Sequence, residues 1–268
     1  MSRYLLFTLA APMVSFGSVS VGERRPTWDR PSKSQVIGLV AAALGIERSN
    51  ETEQANLATG LGFAVRVDDA GRLASDYHTA QAAKDVEIRR WTKKNGPLRT
   101  RADELACDDL KTILSQREFR TDTCHTICLW RRDNAECPTV EEIASALRNP
   151  QFTLFAGRKA HPLMFPLLPN SEKRRHPILD AASVTDAFDK FDREVDHDMT
   201  AFRRGLGVKP SGHRSIFADA SAIPANERDA HVAQLVERRD APENRAKWRF
   251  GLRSEALLRN APIEGDGS

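Results

Sequence analysis

The chain is predicted to be an α+β protein with element order β-α-β-β-α-β, interrupted by a charged insertion and followed by an irregular, strand-containing C-terminal extension. Three observations predict it. Aromatic and aliphatic runs with strand character recur at Tyr4–Leu9, Leu61–Val67, Leu73–Thr79 and Thr123–Trp130. Two other stretches carry helix start signals followed by apolar residues at helical spacing. Between Gln81 and Arg120 both patterns break down and cations accumulate.

The elements follow in order. The first strand ends at Ala10-Ala11-Pro12, and a Gly- and Ser-containing loop leads to a basic, proline-punctuated stretch, Arg24 to Pro31. Ser32 then caps a helix, and Gln35, three residues on, completes a capping box. Val36, Ile37, Val40, Ala43 and Leu44 form its core face, and Gly45 followed by Ile46 is a left-handed stop. Glu47–Ala58 reads as a short helix or a loop. Phe63, Val65 and Val67 alternate along the next strand, Asp68-Asp69-Ala70-Gly71 is a hairpin turn, and Leu73–Thr79 returns as its partner. After the insertion comes the Thr123–Trp130 strand. A second capping box, Thr139 with Glu142, opens a helix that Pro150 ends, and Phe152–Phe155 reads as a short strand, the fifth. Leaving out the insertion gives a modified ferredoxin-like (RRM-like) unit, with two helices on one sheet face and the other face free. Many RNA-binding domains share this layout. Beyond Pro162 the signal weakens. Phe165 to Pro177 is a proline-rich basic loop carrying Lys173, Arg174, Arg175 and His176. Val184–Arg193 fits strand or helix. Ile216-Phe217 and His231–Val236 read as strand fragments, Trp248 and Phe250 as packing residues, and residues from Asn260 as a flexible tail. The domain reading is therefore 1–165 with an insertion at about 80–120, then an extension over 166–268.

With 268 residues, 40% hydrophobic and 29% charged, the chain can bury a proper core beneath a heavily charged surface. A net charge of +3 is too mild to establish nucleic-acid binding, so the local distribution decides. The apolar run Tyr4–Val14 mimics a secretory signal, but Pro12 interrupts it and no clean cleavage site follows, so it is read as a strand. No stretch has the ~20 apolar residues of a membrane span. Cys107, Cys124, Cys128 and Cys137 include no pair of C-x-x-C motifs, which points to reduced thiols rather than a metal site and fits a cytoplasmic protein.

Two basic features stand out. Arg24, Arg25, Arg30 and Lys33 crowd the start of the first helix, where cations oppose the helix dipole. Either they are a solvated loop, or that helix mouth serves an anion, phosphate being the natural one. The insertion places Lys84, Arg89, Arg90, Lys93, Lys94, Arg99 and Arg101 around Trp91, against Asp85 and Glu87. Such an arm suits gripping a single strand by charge and stacking, and solvated helix surface is the alternative. Gly157-Arg158-Lys159, directly off a strand end, is either a phosphate-holding turn or a plain basic one. Tyr77 and His78, like Trp91, are candidates for base stacking, with packing the competing role.

Several pieces together resemble one family. They are Tyr4–Gly17, Arg25-Pro26-Thr27, Pro31-Ser32-Lys33-Ser34 with Gly38-Leu39 and Leu44-Gly45-Ile46, Phe63-Ala64-Val65-Arg66, Asp76-Tyr77-His78-Thr79, and Phe155-Ala156-Gly157-Arg158-Lys159 with Pro162. Arg239-Asp240, Pro242, Phe250 and Arg253 continue the pattern. In order and spacing these resemble the CasD group, the fifth CRISPR-associated (Cas) family, of type I-E Cascade complexes in the repeat-associated (RAMP) RNA-binding superfamily. The resemblance implies a modified ferredoxin-like fold with a projecting thumb. It implies a non-catalytic, cofactor-free subunit that caps the 5′ handle of CRISPR RNA and bridges the CasC backbone and CasA large subunits. Target DNA is then reached through the assembled antiviral complex. By position, Arg25, Lys33, Ser34, Arg158 and Lys159 would line the handle site, and the arm from Lys84 to Arg101 falls at the thumb. That arm is longer and more charged than the family pattern. Relatives in another CRISPR subtype cut repeat RNA without a metal, using a tyrosine, a lysine and a histidine. His78, His125 and His161 are the histidines to weigh for such an endoribonuclease. No matching tyrosine–lysine–histidine set is present, and in type I-E systems CasE does the cutting. A scaffold contacting only protein is the third reading.

Overall fold

In the computed structural model the described residues are 2–20, 22–168, 177–194, 214–244, 247 and 249–259. Strand β1 (Ser2–Val14) is longer than the apolar run that predicts it and passes straight through Pro12. Ala11 pairs with Thr123 and Met13 with Thr121, so Pro12, which has no N–H to donate, falls opposite Asp122. Asp122 takes a left-handed backbone there (φ 57°), a conformation that Asp tolerates better than most residues.

The order continues with β2 (Arg24–Arg25), α1 (Lys33–Leu44), α2 (Glu51–Gly60), β3 (Leu61–Asp69), β4 (Arg72–Ala83), α3 (Asp85–Asn95) and α4 (Arg101–Leu105). Then come β5 (Leu110–Arg131), α5 (Val140–Arg148), β6 (Ile178–Ala181), α6 (Val184–Glu194), β7 (Ile216–Asp219), β8 (Val232–Asn244) and β9 (Arg249–Leu258). Helix α1 starts as its sequence dictates. Ser32 Oγ accepts from the Gln35 N–H, and Gln35 Oε1 accepts from the Ser32 N–H at 3.0 Å. It stops at Gly45 (φ 78°), where the Ile46 N–H returns to the Ala41 carbonyl at 2.8 Å. Thr139 and Glu142 form the same reciprocal cap on α5.

The chain divides into two units, 1–16, 28–72 and 120–268 in the first, and 17–27 and 73–119 in the second. In the first, strands run in the order β6-β1-β5-β3-β7-β9-β8, each neighbouring pair antiparallel. One sheet face (Leu5, Phe7, Leu9, Phe63, Val65, Ile127, Leu129) packs against Val36, Ile37 and Val40 of α1 and Ile143 and Leu147 of α5. The opposite face is not free, contrary to the expectation. Tyr4, Leu6, Ala64 and Cys128 are covered there by Val184, Ala187, Phe188 and Phe191, an apolar stripe that settles Val184–Glu194 as a helix.

Two strand assignments change. Phe152–Phe155 makes no strand, only a single bridge from Phe155 to Pro162. The N–H groups of Gln151 and Phe152 bond instead to the Ala43 and Ala42 carbonyls (3.0 and 3.1 Å), satisfying acceptors that the end of α1 leaves open. The strand following α5 is β6, which pairs with β1. Likewise β4 pairs with β5 and not with β3, whose neighbours are β5 and β7. Ile216 and Phe217 belong to β7, and His231 ends a helical turn (Arg228–His231) before β8 begins. The second unit consists of β2 parallel to the start of β5 (Arg24 opposite Gln116), β4 beside β5, and helices α3 and α4. Trp248, residues 173–176 and the tail from Asn260 lie outside the described residues.

The cap on α1 is open to direct measurement. Ser32→Ala is expected to lower the unfolding free energy by about 1 kcal/mol, read from urea unfolding followed by circular dichroism.

Candidate nucleic-acid interface

Helix α1 opens with two cations close to its first turn, and the anion they serve is internal. The Lys33 N–H donates to Asp240 Oδ2 at 3.0 Å, so a carboxylate occupies the helix mouth. The Lys33 ammonium reaches Asp219 Oδ2 at 3.1 Å. Arg30 donates to Glu255 through Nε (3.2 Å) and Nη2, and to Asp29 at 2.8 Å, with its guanidinium 3.5 Å from the centre of the Phe217 ring. Arg253 holds the carboxylates together, with Nε and Nη2 on Asp240 at 2.8 Å, Nη1 on Asp219 at 3.0 Å and Nη2 on Glu255 at 2.7 Å. Arg238 joins at 3.5 Å from Glu255, and Arg132 adds a bond to Asp219 at 2.8 Å. Apart from Asp29 and Arg132, every member is buried, Asp219 and Glu255 to 1% exposure.

The electrostatics follow from this packing. Burial pushes the Lys33 pKa down and Asp219 works against the shift. Burial raises the Glu255 carboxyl, but Arg30, Arg253 and Arg238 outweigh it and hold the acid below its ordinary range. Burial also disfavours the Arg253 charge, yet the hydrogen bonds to Asp240 and the charges of Asp240, Asp219 and Glu255 push its pKa up. Arg66 is internal too. It binds Asp68 and Asp192 at 2.8 Å and Thr126 at 3.2 Å.

Lys33 and Ser34, expected at a phosphate, are therefore corrected. Lys33 is 4% exposed with its ammonium on Asp219, and Ser34 is buried with its hydroxyl on Ser32 Oγ at 2.9 Å. Desolvation and the neighbouring carboxylates make this an unfavourable place for a further anion. Gly157 does sit close by. Its backbone is left-handed (φ 89°), and a Cβ there would fall 2.0 Å from the Ser15 carbonyl oxygen, the same oxygen that accepts from Gln35 Nε2 at 3.1 Å. The start of α1 and the Gly157 turn thus converge on Ser15. The Gly157 N–H is turned to the Phe155 carbonyl (3.1 Å), Arg158 is half-buried and Lys159 is exposed.

The remaining expected residues belong to the second unit. Arg24 grips the buried Glu118 at 2.9 and 2.6 Å, and Arg25 donates to the Gly22 and Arg24 carbonyls. Tyr77 is 67% exposed, and His78 stands 3.7 Å from Asp76. On α3, Arg89, Arg90, Lys93 and Lys94 are all exposed and Trp91 is half-buried. Arg90 pairs with Glu87 at 2.8 Å, while Arg89, Lys93 and Lys94 have no acidic partner among the described residues. Two of the three histidines considered for catalysis are buried. The His125 ring meets the Asp29 carbonyl at 2.9 Å, and burial pushes its pKa down, which keeps the imidazole neutral. His161 is 3% exposed. Sequence reasoning missed Asp219 and Glu255 altogether; for Asp240 and Arg253 the motif was visible but not the pairing. Among the described residues no helix is long and apolar enough to cross a membrane.

This geometry belongs to a recognisable class. A profile described as "CRISPR-associated protein (Cas_Cas5)" matches residues 4–254, and the chain is a member of that family. Within it, the chain is 30% identical over 175 residues to the "CRISPR system Cascade subunit CasD" of Escherichia coli (strain K12), covering 62% of this chain and 70% of the relative. It also resembles a solved structure described as "Crystal structure of Cas protein" (TM-score 0.55, 22% identity, 95% of both chains). A chain of a "CRISPR RNA-guided surveillance complex" is similar as well (TM-score 0.54, 20% identity, 97% of this chain and 92% of that one). These two likenesses show a shared mixed α/β fold with a large antiparallel sheet.

The buried cluster makes two measurable claims. Lys33→Ala leaves the Asp219 carboxylate short of a cation in the interior and is expected to cost about 3–5 kcal/mol of stability in urea unfolding. Because Glu255 has a depressed folded pKa, its stabilising contribution is complete above the ordinary glutamate range and is lost as pH falls through the folded value. The thermal midpoint should hold near neutrality and fall steeply only below about pH 4.

Proposed function

We propose that the chain is a non-catalytic, cytoplasmic subunit of a CRISPR antiviral surveillance complex, one that binds and caps the 5′ handle of CRISPR RNA. In this reading it bridges the CasC backbone and CasA large subunits. Membership of the family and the name of the E. coli relative supply the class. The strand order β6-β1-β5-β3, with α1 and α5 on one face, supports reading the core as a modified ferredoxin-like unit. The second unit, 17–27 and 73–119, supports the thumb reading.

One observation carries the RNA-binding part. The buried cations among the described residues (Arg30, Lys33, Arg66, Arg238 and Arg253) are each tied to a carboxylate, and some exposed ones are as well, Arg24 to Glu118 and Lys84 to Asp109. On α3, Arg89 and Lys93, four residues apart, share a face, Lys94 lies one turn on from Trp91, and all three stand exposed without an acidic partner among the described residues. Exposed cations on a helix that also carries a half-buried aromatic suit phosphates and a stacked base. Arg25, Tyr77 and His78 of the same unit would add contacts, and in the first unit Arg158 and Lys159 at the Gly157 turn are candidates for RNA contact on their own account. The burial of His125 and His161 argues for binding over cleavage, because general acid–base work needs a histidine within reach of the ribose 2′-hydroxyl.

The test is a salt titration of binding to a 5′-handle RNA. Arg89→Ala, Lys93→Ala and Lys94→Ala together should weaken binding across sequences. They should flatten the slope of log K against log salt by about 2, at ~0.7 per phosphate contact on single strands. An unchanged slope removes α3 from the interface. Specific cleavage of repeat RNA by the purified chain, abolished by His78→Ala, would instead establish the endoribonuclease.

A further inference from the structure

The edge of a sheet presents a row of unpaired N–H and C=O groups, a template for another strand, and proteins blunt such edges with short strands, bulges, Pro and Lys. The first unit does so at both ends of its sheet. Edge strand β6 has four residues, and β8 carries Pro242 and three register shifts against β9. The second unit leaves one edge undefended. Strand β4 is twelve residues long, pairs only with β5 among the described residues, and contains no Pro, Gly or Lys. Arg72, Leu73, Ser75 and every residue from Tyr77 to Gln81 are exposed. Leu73 and Tyr77, with Ile113 of β5, leave large apolar side chains in water there.

An occupant of this edge has to offer donors and acceptors in alternation, as a polypeptide backbone does, whereas a phosphodiester backbone offers acceptors only. The sequence of β4 points to a second copy of itself. The far end of the strand is already engaged, since Arg101 donates to the Gln81 carbonyl and the Ala83 N–H donates to Glu104 at 3.2 Å. The open run is therefore Leu73–Ala80. Along an antiparallel edge the outward-facing groups alternate, so two identical strands meet about a residue and not between two. The middle of the open run makes that residue Asp76 or Tyr77. Centring on Asp76 sets the acid against itself, which is unfavourable. Centring on Tyr77 sets Tyr77 against Tyr77, Ser75 against Thr79 and Asp76 against His78, the last two once on each side of the axis. Aromatic, hydroxyl and opposite-charge pairs are the cross-strand combinations that stabilise a ladder. Asp76 and His78 lie on one face of the strand, 3.7 Å apart within a copy and both half-exposed, so each is accessible to the other copy.

We propose that the free chain forms a two-fold dimer in which the β4 edges of two copies pair antiparallel about Tyr77. The inference goes beyond RNA binding, and it is tested on RNA-free protein, so neither result decides the other. Sedimentation velocity of the nuclease-treated full chain over a wide concentration range should show a reversible monomer–dimer equilibrium. Tyr77→Lys sets two ammonium groups face to face and should weaken dimerisation about tenfold or more, with the thermal midpoint of the monomer unchanged. His78→Asp opposes two acids on each side of the axis and should weaken it about tenfold, and adding Asp76→His restores the acid–base pairs in reverse and should recover it. Residues directly opposite have Cα atoms about 4.5–5.5 Å apart, within disulfide reach. Tyr77→Cys should therefore give a linked dimer under mild oxidation, and Ala80→Cys, which faces Ala74, should not. A monomer at every concentration, a dimer indifferent to Tyr77→Lys, or a dimer that needs RNA would overturn the proposal. So would a charge swap that fails to recover dimerisation, or Ala80→Cys linking as readily as Tyr77→Cys.

Discussion

The structure of the first unit depends on one buried knot of charge. Arg30, Lys33, Arg238 and Arg253 face Asp219, Asp240 and Glu255 out of contact with water. Such a knot adds little net stability over a well-packed apolar equivalent, because desolvating each ion costs several kcal/mol. What it provides is selectivity. Every member must be in place or a charge is left bare in the interior, so only one arrangement of the C-terminal strands against α1 satisfies them all. An apolar contact would tolerate a slip of β8 by a residue. Here a slip would turn Arg238 and Asp240 away from the helix start.

This constraint also explains why the chain after 165 extends the main sheet. Asp219 ends β7 and lies at hydrogen-bond distance from the Phe63 N–H (3.2 Å), the Lys33 ammonium and Arg253. One carboxylate thus ties β3, α1 and β9 together. Lys33 and Asp219 are 186 residues apart, and Arg30 and Glu255 are 225 apart. Contacts so distant in sequence pay a loop-closure entropy that local contacts do not, so the cluster is expected to form late in folding.

The local parts of the fold were legible in the sequence because their causes are local. The capping boxes at Ser32 and Thr139 and the stop at Gly45 need only neighbouring residues, and they stand where their residue types place them. The misreadings share a different cause. Phe152–Phe155 looks like a strand, but the open carbonyls of α1 decide its backbone bonds, and no periodicity in 152–155 can report that. Leu73–Thr79 looks like the partner of β3, yet strand choice is a tertiary matter, and β4 joins β5. At the helix mouth two readings stood open, a solvated basic loop and a phosphate site, and Arg30 and Lys33 meet internal carboxylates there. The identity of the anion could not be read locally, since Asp240 and Glu255 arrive from the far end of the chain. Lys33 was misassigned for the same reason.

Charge of one sign therefore stands in two different settings in this protein, and burial separates them. In the first unit Arg30, Lys33, Arg66 and Arg253 are interior, and their fields are largely cancelled by partners within a few ångströms. On α3 of the second unit, Arg89, Lys93 and Lys94 face solvent with no carboxylate partner among the described residues. The formal net charge of +3 averages over both populations and so understates the field at α3. A polyanion senses the uncancelled charges, with a reach of about 8 Å at physiological salt, and hardly senses the neutralised interior.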